Sequence, residues 1–108
     1  MPKRGDVWWV RLDPTQGSEI AKTRPCVVMS SDVINRRRRT VVVIPLSSSP
    51  NAHPPLLVGV VVAGRNVVAV VDQIRAVSKD RLAERMGALQ PQEILDLEGA
   101  VREVLEIG

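Results

Sequence analysis

The apolar residues of this chain fall into short valine-rich runs, and that feature limits its fold more than any other. Pro25-Cys26-Val27-Val28-Met29, Thr40-Val41-Val42-Val43-Ile44, Leu57 to Val62 and Val67 to Val71 are each brief and each give way within two residues to a proline, a glycine or a polar residue. Phenylalanine and tyrosine are absent and the only aromatics are Trp8 and Trp9, so valine has to build the core. β-Branched side chains fit a pleated surface better than a helix, and brief apolar runs between turn residues read as buried strands.

The rest of the chain extends this pattern. Asp6 to Leu12 predicts a strand closed by the turn pair Asp13-Pro14, followed by an exposed loop over Thr15 to Lys22. Ser30 or Ser31 suits the cap of a helical turn through Asp32–Asn35. Arg36 to Arg39 then reads as a turn, and Pro45 as the end of the strand Thr40–Ile44. Ser47 to Pro55 is a polar, proline-rich loop. The next two runs predict a hairpin turning near Gly64-Arg65-Asn66. Gln73 to Val77 alternates as a half-exposed strand does, Ser78 to Leu82 suggests a helical turn, and Glu84 to Leu89 a last strand. Pro91 starts the clearest helix, whose stripe is Ile94, Leu97, Val101, Val104 and Leu105. The expected architecture is mainly β: one strongly bent antiparallel sheet or partly open barrel, closed by a C-terminal α-helix.

With 108 residues the chain suits a single domain over 1–108. No stretch reaches the roughly 18 apolar residues that span a bilayer, and Met1 to Asp6 lacks the apolar core of a signal peptide. One cysteine makes neither an internal disulfide nor a cysteine-rich metal site. A cytoplasmic protein without membrane contact, metal or cofactor is the expectation. Charge is uneven: residues 1–50 hold nine Lys/Arg against four Asp/Glu, and residues 51–108 six against eight. That +5 against −2 points the first half towards polyanions such as nucleic acid.

Candidate functional residues follow from this asymmetry. There is no glycine-rich phosphate loop, no dinucleotide fingerprint and no metal-ligand spacing. His53 reads as a solvated loop residue and Cys26 as a buried structural thiol. Arg36 to Arg39 is either a phosphate-binding patch, because guanidinium forks match phosphate geometry, or a solvated surface. Trp8 and Trp9 point to opposite faces of a strand; one belongs to the core, and the other is free for base stacking or a subunit contact. Arg24 stands at the start of a strand beside a polar loop. If that strand neighbours Thr40–Ile44, then Arg24, Ser47 and Ser48 converge on one face and can polarise a phosphodiester. The competing reading pairs Arg24 with an acid such as Asp72.

Arg4-Gly5-Asp6-Val7-Trp8, Leu12-Asp13-Pro14, Gly17-Ser18-Glu19 and Lys22-Thr23-Arg24-Pro25-Cys26-Val27-Val28 together resemble the opening of MazF/PemK-type toxins. Val43-Ile44-Pro45-Leu46-Ser47-Ser48, Asp72-Gln73-Ile74-Arg75-Ala76-Val77 and Lys79-Asp80-Arg81-Leu82 continue the resemblance in order and spacing. It implies an SH3-like, CcdB-related barrel that forms a homodimer. It also implies a toxin that cuts single-stranded RNA at a short sequence and is neutralised by a cognate MazE-like antitoxin. By position Arg24 is the catalytic arginine, and Ser47 stands where the family commonly has threonine. Ser48, Lys22, Thr23, Arg36 and Arg37 are then expected to bind substrate, with Asp72, Gln73 and Arg75 supporting the site. Two other functions stay open on the same fold: a CcdB-like, non-catalytic poison of DNA gyrase, and an inactive RNA-binding relative.

Overall fold

A computed structural model describes residues 1–12, 17, 22–49 and 51–108. The predicted turn Asp13-Pro14 and most of the predicted loop Thr15–Lys22 lie outside these residues. The strands are β1 (Asp6–Arg11), β2 (Thr23–Val28), β3 (Thr40–Ser47), β4 (Leu57–Val62), β5 (Arg65–Val70), β6 (Arg75–Ser78) and β7 (Leu82–Ala88). Two α-helices, α1 (Asp32–Arg37) and α2 (Pro91–Leu105), and two 3-10 turns, Val71–Gln73 and Lys79–Arg81, complete the described elements. The sheet runs β4-β5-β3-β2-β1-β7, with β6 also on β3, and every pairing is antiparallel.

The sheet is bent so strongly that both of its faces are cores. Val41 and Val43 join Val10, Cys26, Val28 and Val77 inside the half-barrel. Ile44 and Leu46 belong with Val7, Val27 and Leu97 under α2. A strand buried on both sides reads as a continuous apolar run, which is why β3 shows little alternation. Its residues Val41 and Val43 through Leu46 are all buried.

β3 does not stop at Pro45 as its sequence suggests. Pro45 pairs with Cys26 on one side, and on the other it falls between two partners. β6 pairs with Thr40–Val43 and β5 with Leu46 and Ser47. A residue without an N–H fits where the ladder changes hands. The hairpin also turns earlier than expected. Val62 pairs with Arg65, leaving Ala63 and Gly64 as a two-residue turn with φ of 50° and 77°. Positive φ at both positions matches the right-handed twist of the flanking strands. Gln73 belongs to a 3-10 turn instead of a strand, because the chain leaves the ladder there between its successive antiparallel pairings of β5 and β6 on β3; Ile74 N–H donates to Val71 C=O at 3.1 Å.

Ser31 caps α1 by accepting the Ile34 N–H, and the helix continues through Arg36 and Arg37. α2 starts with Pro91 after Gln90, whose N–H donates to Glu93 Oε1 at 2.9 Å. The second oxygen of Glu93 accepts the Val61 N–H at 2.7 Å, tying the helix to the outer edge of β4. Leu97 and Ala100 are the buried residues of α2, with Ile94, Val101 and Val104 packed around them. Burying a leucine side chain of this kind stabilises by about 1.5–3 kcal/mol. Leu105, placed in the stripe by its spacing, is 50 % exposed, because the helix ends beyond the sheet it covers.

Candidate functional site

β1, β2 and β3 position the site where the β2–β3 ladder runs out. β2 meets β3 through Val28–Val43, Val27–Ile44 and Cys26–Pro45, and that pairing ends there. Carrying the same register two residues further sets Arg24 opposite Ser47. On the other side Val10 pairs with Arg24 and Trp9 with Pro25. A cleft of about 470 Å³ opens at this splayed corner, roofed by the β4–β5 turn. Its polar wall carries Thr23, Arg24, Ser47, Ser48 and Arg65, and its floor is apolar, including Leu46, Val67 and Met86.

Arg24 is exposed and belongs to none of the ion pairs Arg4–Glu98, Arg85–Asp6 and Arg102–Glu98. Asp72 is exposed on its 3-10 turn and is in none of them either, so the alternative pairing of these two is not formed. Ser47 is half-buried, and its Oγ accepts the Ser49 N–H at 3.3 Å. That bond uses a lone pair and leaves the hydroxyl hydrogen to donate into the cleft. Trp9, 37 % exposed, borders the cleft, whereas Trp8 packs on the half-barrel core. A flat indole next to a guanidinium and hydroxyls offers a stacking surface beside a phosphate-binding group.

The other expected residues divide. Thr23 and Ser48 line the cleft. Lys22, one residue before β2 with φ of 66°, is not among the cleft residues; its carbonyl accepts the Leu12 N–H at 2.9 Å. Arg36 and Arg37 lie outside the cleft as well, in a separate depression of about 430 Å³ with Arg38, Arg39 and Lys79. Asp72 and Gln73 sit on the turn after β5, and Arg75 pairs with Val43 on β6. Burial pushes the Cys26 thiol up to about 12, with the Arg75 charge pulling the other way. His53 is exposed, and its backbone exchanges hydrogen bonds with Leu57 at 2.7 and 3.0 Å. Among the described residues no three His, Cys, Asp or Glu side chains gather as metal ligands.

Arg65 is the cleft cation that sequence reasoning passed over. It looked like a turn residue, and only the two-residue Ala63-Gly64 turn puts it in β5 on the cleft wall. No sequence pattern marks it.

Fold and site together define a small antiparallel half-barrel with a C-terminal helix and an open, cationic, hydroxyl-bearing cleft. The family model of the PemK-like, MazF-like toxins of type II toxin–antitoxin systems matches residues 3–105. The chain belongs to that family. It is 34 % identical over 97 residues to the endoribonuclease toxin MazF of Escherichia coli K12, covering 87 % of this chain and 85 % of the relative. It is 32 % identical over 116 aligned positions to endoribonuclease MazF9 of Mycobacterium tuberculosis, covering 99 % and 98 %. Among solved structures, MazF from Deinococcus radiodurans superposes with a TM-score of 0.87 at 22 % identity, over 98 % of this chain and 97 % of that one. A mycobacterial endoribonuclease in complex with its cognate antitoxin gives 0.83 at 21 % identity, covering 100 % and 98 %. At those identities the two structures speak for the fold.

Proposed function

We propose that this chain is an endoribonuclease toxin that cuts single-stranded RNA, working in the cytoplasm and held in check by a cognate antitoxin. The observation that carries the reading is the convergence of Arg24 and Ser47 on one open cleft with no carboxylate paired to the arginine among the described residues. Its relatives named endoribonuclease MazF support the substrate class.

RNA carries its own nucleophile. The 2′-hydroxyl gives its proton to solvent as its oxygen attacks the adjacent phosphorus, and the new P–O2′ bond forms as the P–O5′ bond breaks. The leaving 5′-oxygen takes up a proton from water, and the products are a 2′,3′-cyclic phosphate and a 5′-hydroxyl. The protein's task is to hold the phosphate in line and to stabilise charge on its non-bridging oxygens. Arg24 suits that role, and its N–H groups can also hydrogen-bond the leaving 5′-oxygen as it takes up a proton; a guanidinium keeps its own proton and is a poor base. Ser47 donates a hydrogen bond to the phosphate, and Thr23, Ser48 and Arg65 hold the neighbouring backbone. Trp9 stacks a base. Asp72, Gln73 and Arg75 support the fold around β3. The mechanism asks for no metal or cofactor.

The antitoxin is an acidic segment that takes the same cationic cleft. The active form is a homodimer, for which exposed Leu105 on α2 offers apolar surface. Cleavage is tested on an RNA of varied sequence in excess EDTA. The reading expects cuts at a short recurring sequence, and no cut where the nucleotide 5′ to the scissile phosphate is 2′-deoxy. Normal cutting of the deoxy strand would end the 2′-hydroxyl mechanism. Toxicity without RNA cleavage would favour a gyrase poison, and binding without turnover an inactive relative.

A further inference from the structure

Arg36 and Arg37 are outside the cleft, yet a path of surface depressions connects them to it. Thr23 lines both the Arg24 cleft and a second depression of about 420 Å³ that holds Arg11 and Arg81. Ser78 and Asp80 line that second depression and also the third, which holds Arg36 to Arg39 and Lys79. The three are therefore contiguous. Among the described residues the outer two are lined by seven basic side chains, Arg11 and Arg81 in one and Arg36 to Arg39 with Lys79 in the other, and by one acid, Asp80.

The path is held in shape by hydrogen bonds to backbone carbonyls. Arg11 Nη2 donates to the Asp80 carbonyl at 2.6 Å, and Arg81 Nη1 donates to the Arg11 carbonyl at 3.0 Å. The Lys79 N–H donates to the Arg39 carbonyl at 2.8 Å, docking the Lys79–Arg81 turn on the arginine run. Asp32, one helical turn before Arg36, offsets part of that charge, and its own carboxyl is held low chiefly by the Arg4 N–H. Among the described residues no carboxylate forms an ion pair with Arg11 or with Arg36 to Arg39.

We infer that this path is a second RNA-binding surface, along which the strand flanking the cleavage site runs from the Arg24 cleft past Arg11 to the arginine run. The inference rests on the endoribonuclease reading of the cleft. A row of cations with few hydrogen-bonding pockets suits a phosphodiester backbone regardless of sequence, because binding is driven by released counterions. Recognition of the cut site would then belong to the cleft, and grip on long RNA to the path.

The test measures binding of an RNA that contains the mapped cut site, blocked by 2′-deoxy at the nucleotide 5′ to the scissile phosphate. The strand is used short, or extended on its 5′ or its 3′ side. Extension on one side should tighten binding to the wild type and steepen its salt dependence, by about 0.7 in slope for each added phosphate contact. In R36Q/R37Q/R38Q/R39Q that gain should fall about tenfold, as expected for four exposed contacts of modest strength. Equal affinity for short and extended strands in the wild type would overturn the inference without recourse to the variant. So would a variant that loses affinity only for an acidic antitoxin peptide. Cleavage of the all-ribose strand by the wild type, run alongside, separates these failures from failure of the cleft reading, which would remove both.

Discussion

Arg24 and Ser47 come together because the β2–β3 ladder ends two residues before it reaches them. Cys26 and Pro45 are the last pair, and the strands then part around a cleft that both residues line. A guanidinium and a hydroxyl held on the ends of two rigid strands are better positioned than on loops, and that sets what each substitution should do.

Ser47→Ala should slow cleavage by about tenfold to a hundredfold, somewhat less than loss of a main charge-stabilising donor. Ser47→Thr should retain activity, since it keeps the hydroxyl and adds a methyl that stiffens χ1. Single-turnover cleavage of one defined RNA measures both. Full activity in Ser47→Ala would remove the hydroxyl from the mechanism.

Asn35 is the buried polar anchor of α1. Its Nδ2 donates to the Ser30 carbonyl at 3.0 Å and its Oδ1 accepts from Ser30 Oγ, which itself accepts the Val42 N–H at 3.0 Å. Asn35→Ala leaves these groups short of partners at a cost of about 1–3 kcal/mol. For a domain of this size that lowers Tm by on the order of 10 °C. Thermal unfolding followed by circular dichroism reads it, and an unchanged Tm would show that the network contributes nothing.

Cys26 gives an alkaline limb to stability. The folded state keeps the thiol protonated up to about 12, whereas the unfolded chain releases it near the usual 9.0. The contribution is thus complete below pH 9.0 and is lost as pH rises towards 12. Three units at 1.36 kcal/mol each make about 4 kcal/mol. Denaturant titrations across that range should show Cys26→Ala losing stability less steeply than the wild type. Parallel curves would contradict a buried neutral thiol.

Much of this was legible from residue patterns, and the failures have physical causes. Valine runs located β2, β3, β4 and β5, and the Pro91 start with Leu97 on the apolar stripe located α2. Pro45 misled because its missing N–H breaks a strand only where a partner needs that donor, and partner exchange along β3 is not a local property. Arg65 was hidden by a turn one residue tighter than the glycine suggested. At the site, residue chemistry alone left Arg24 balanced between a cleft and an ion pair with Asp72. The family motifs favoured the cleft, and the splayed corner put Ser47 and Thr23 there with it. Arg36 and Arg37 were grouped with the substrate by their charge, although nothing in their sequence positions told which depression they would line.

Cleavage by Arg24→Ala tests the central claim most directly. Arg24 is exposed, so the variant should fold with an unchanged circular dichroism spectrum and Tm. On an RNA of varied sequence, its cleavage rate should fall by roughly 10²–10³, the loss typical of one charge-stabilising donor. A folded Arg24→Ala protein that cuts at the wild-type rate and sites would contradict the assignment of catalysis to this cleft.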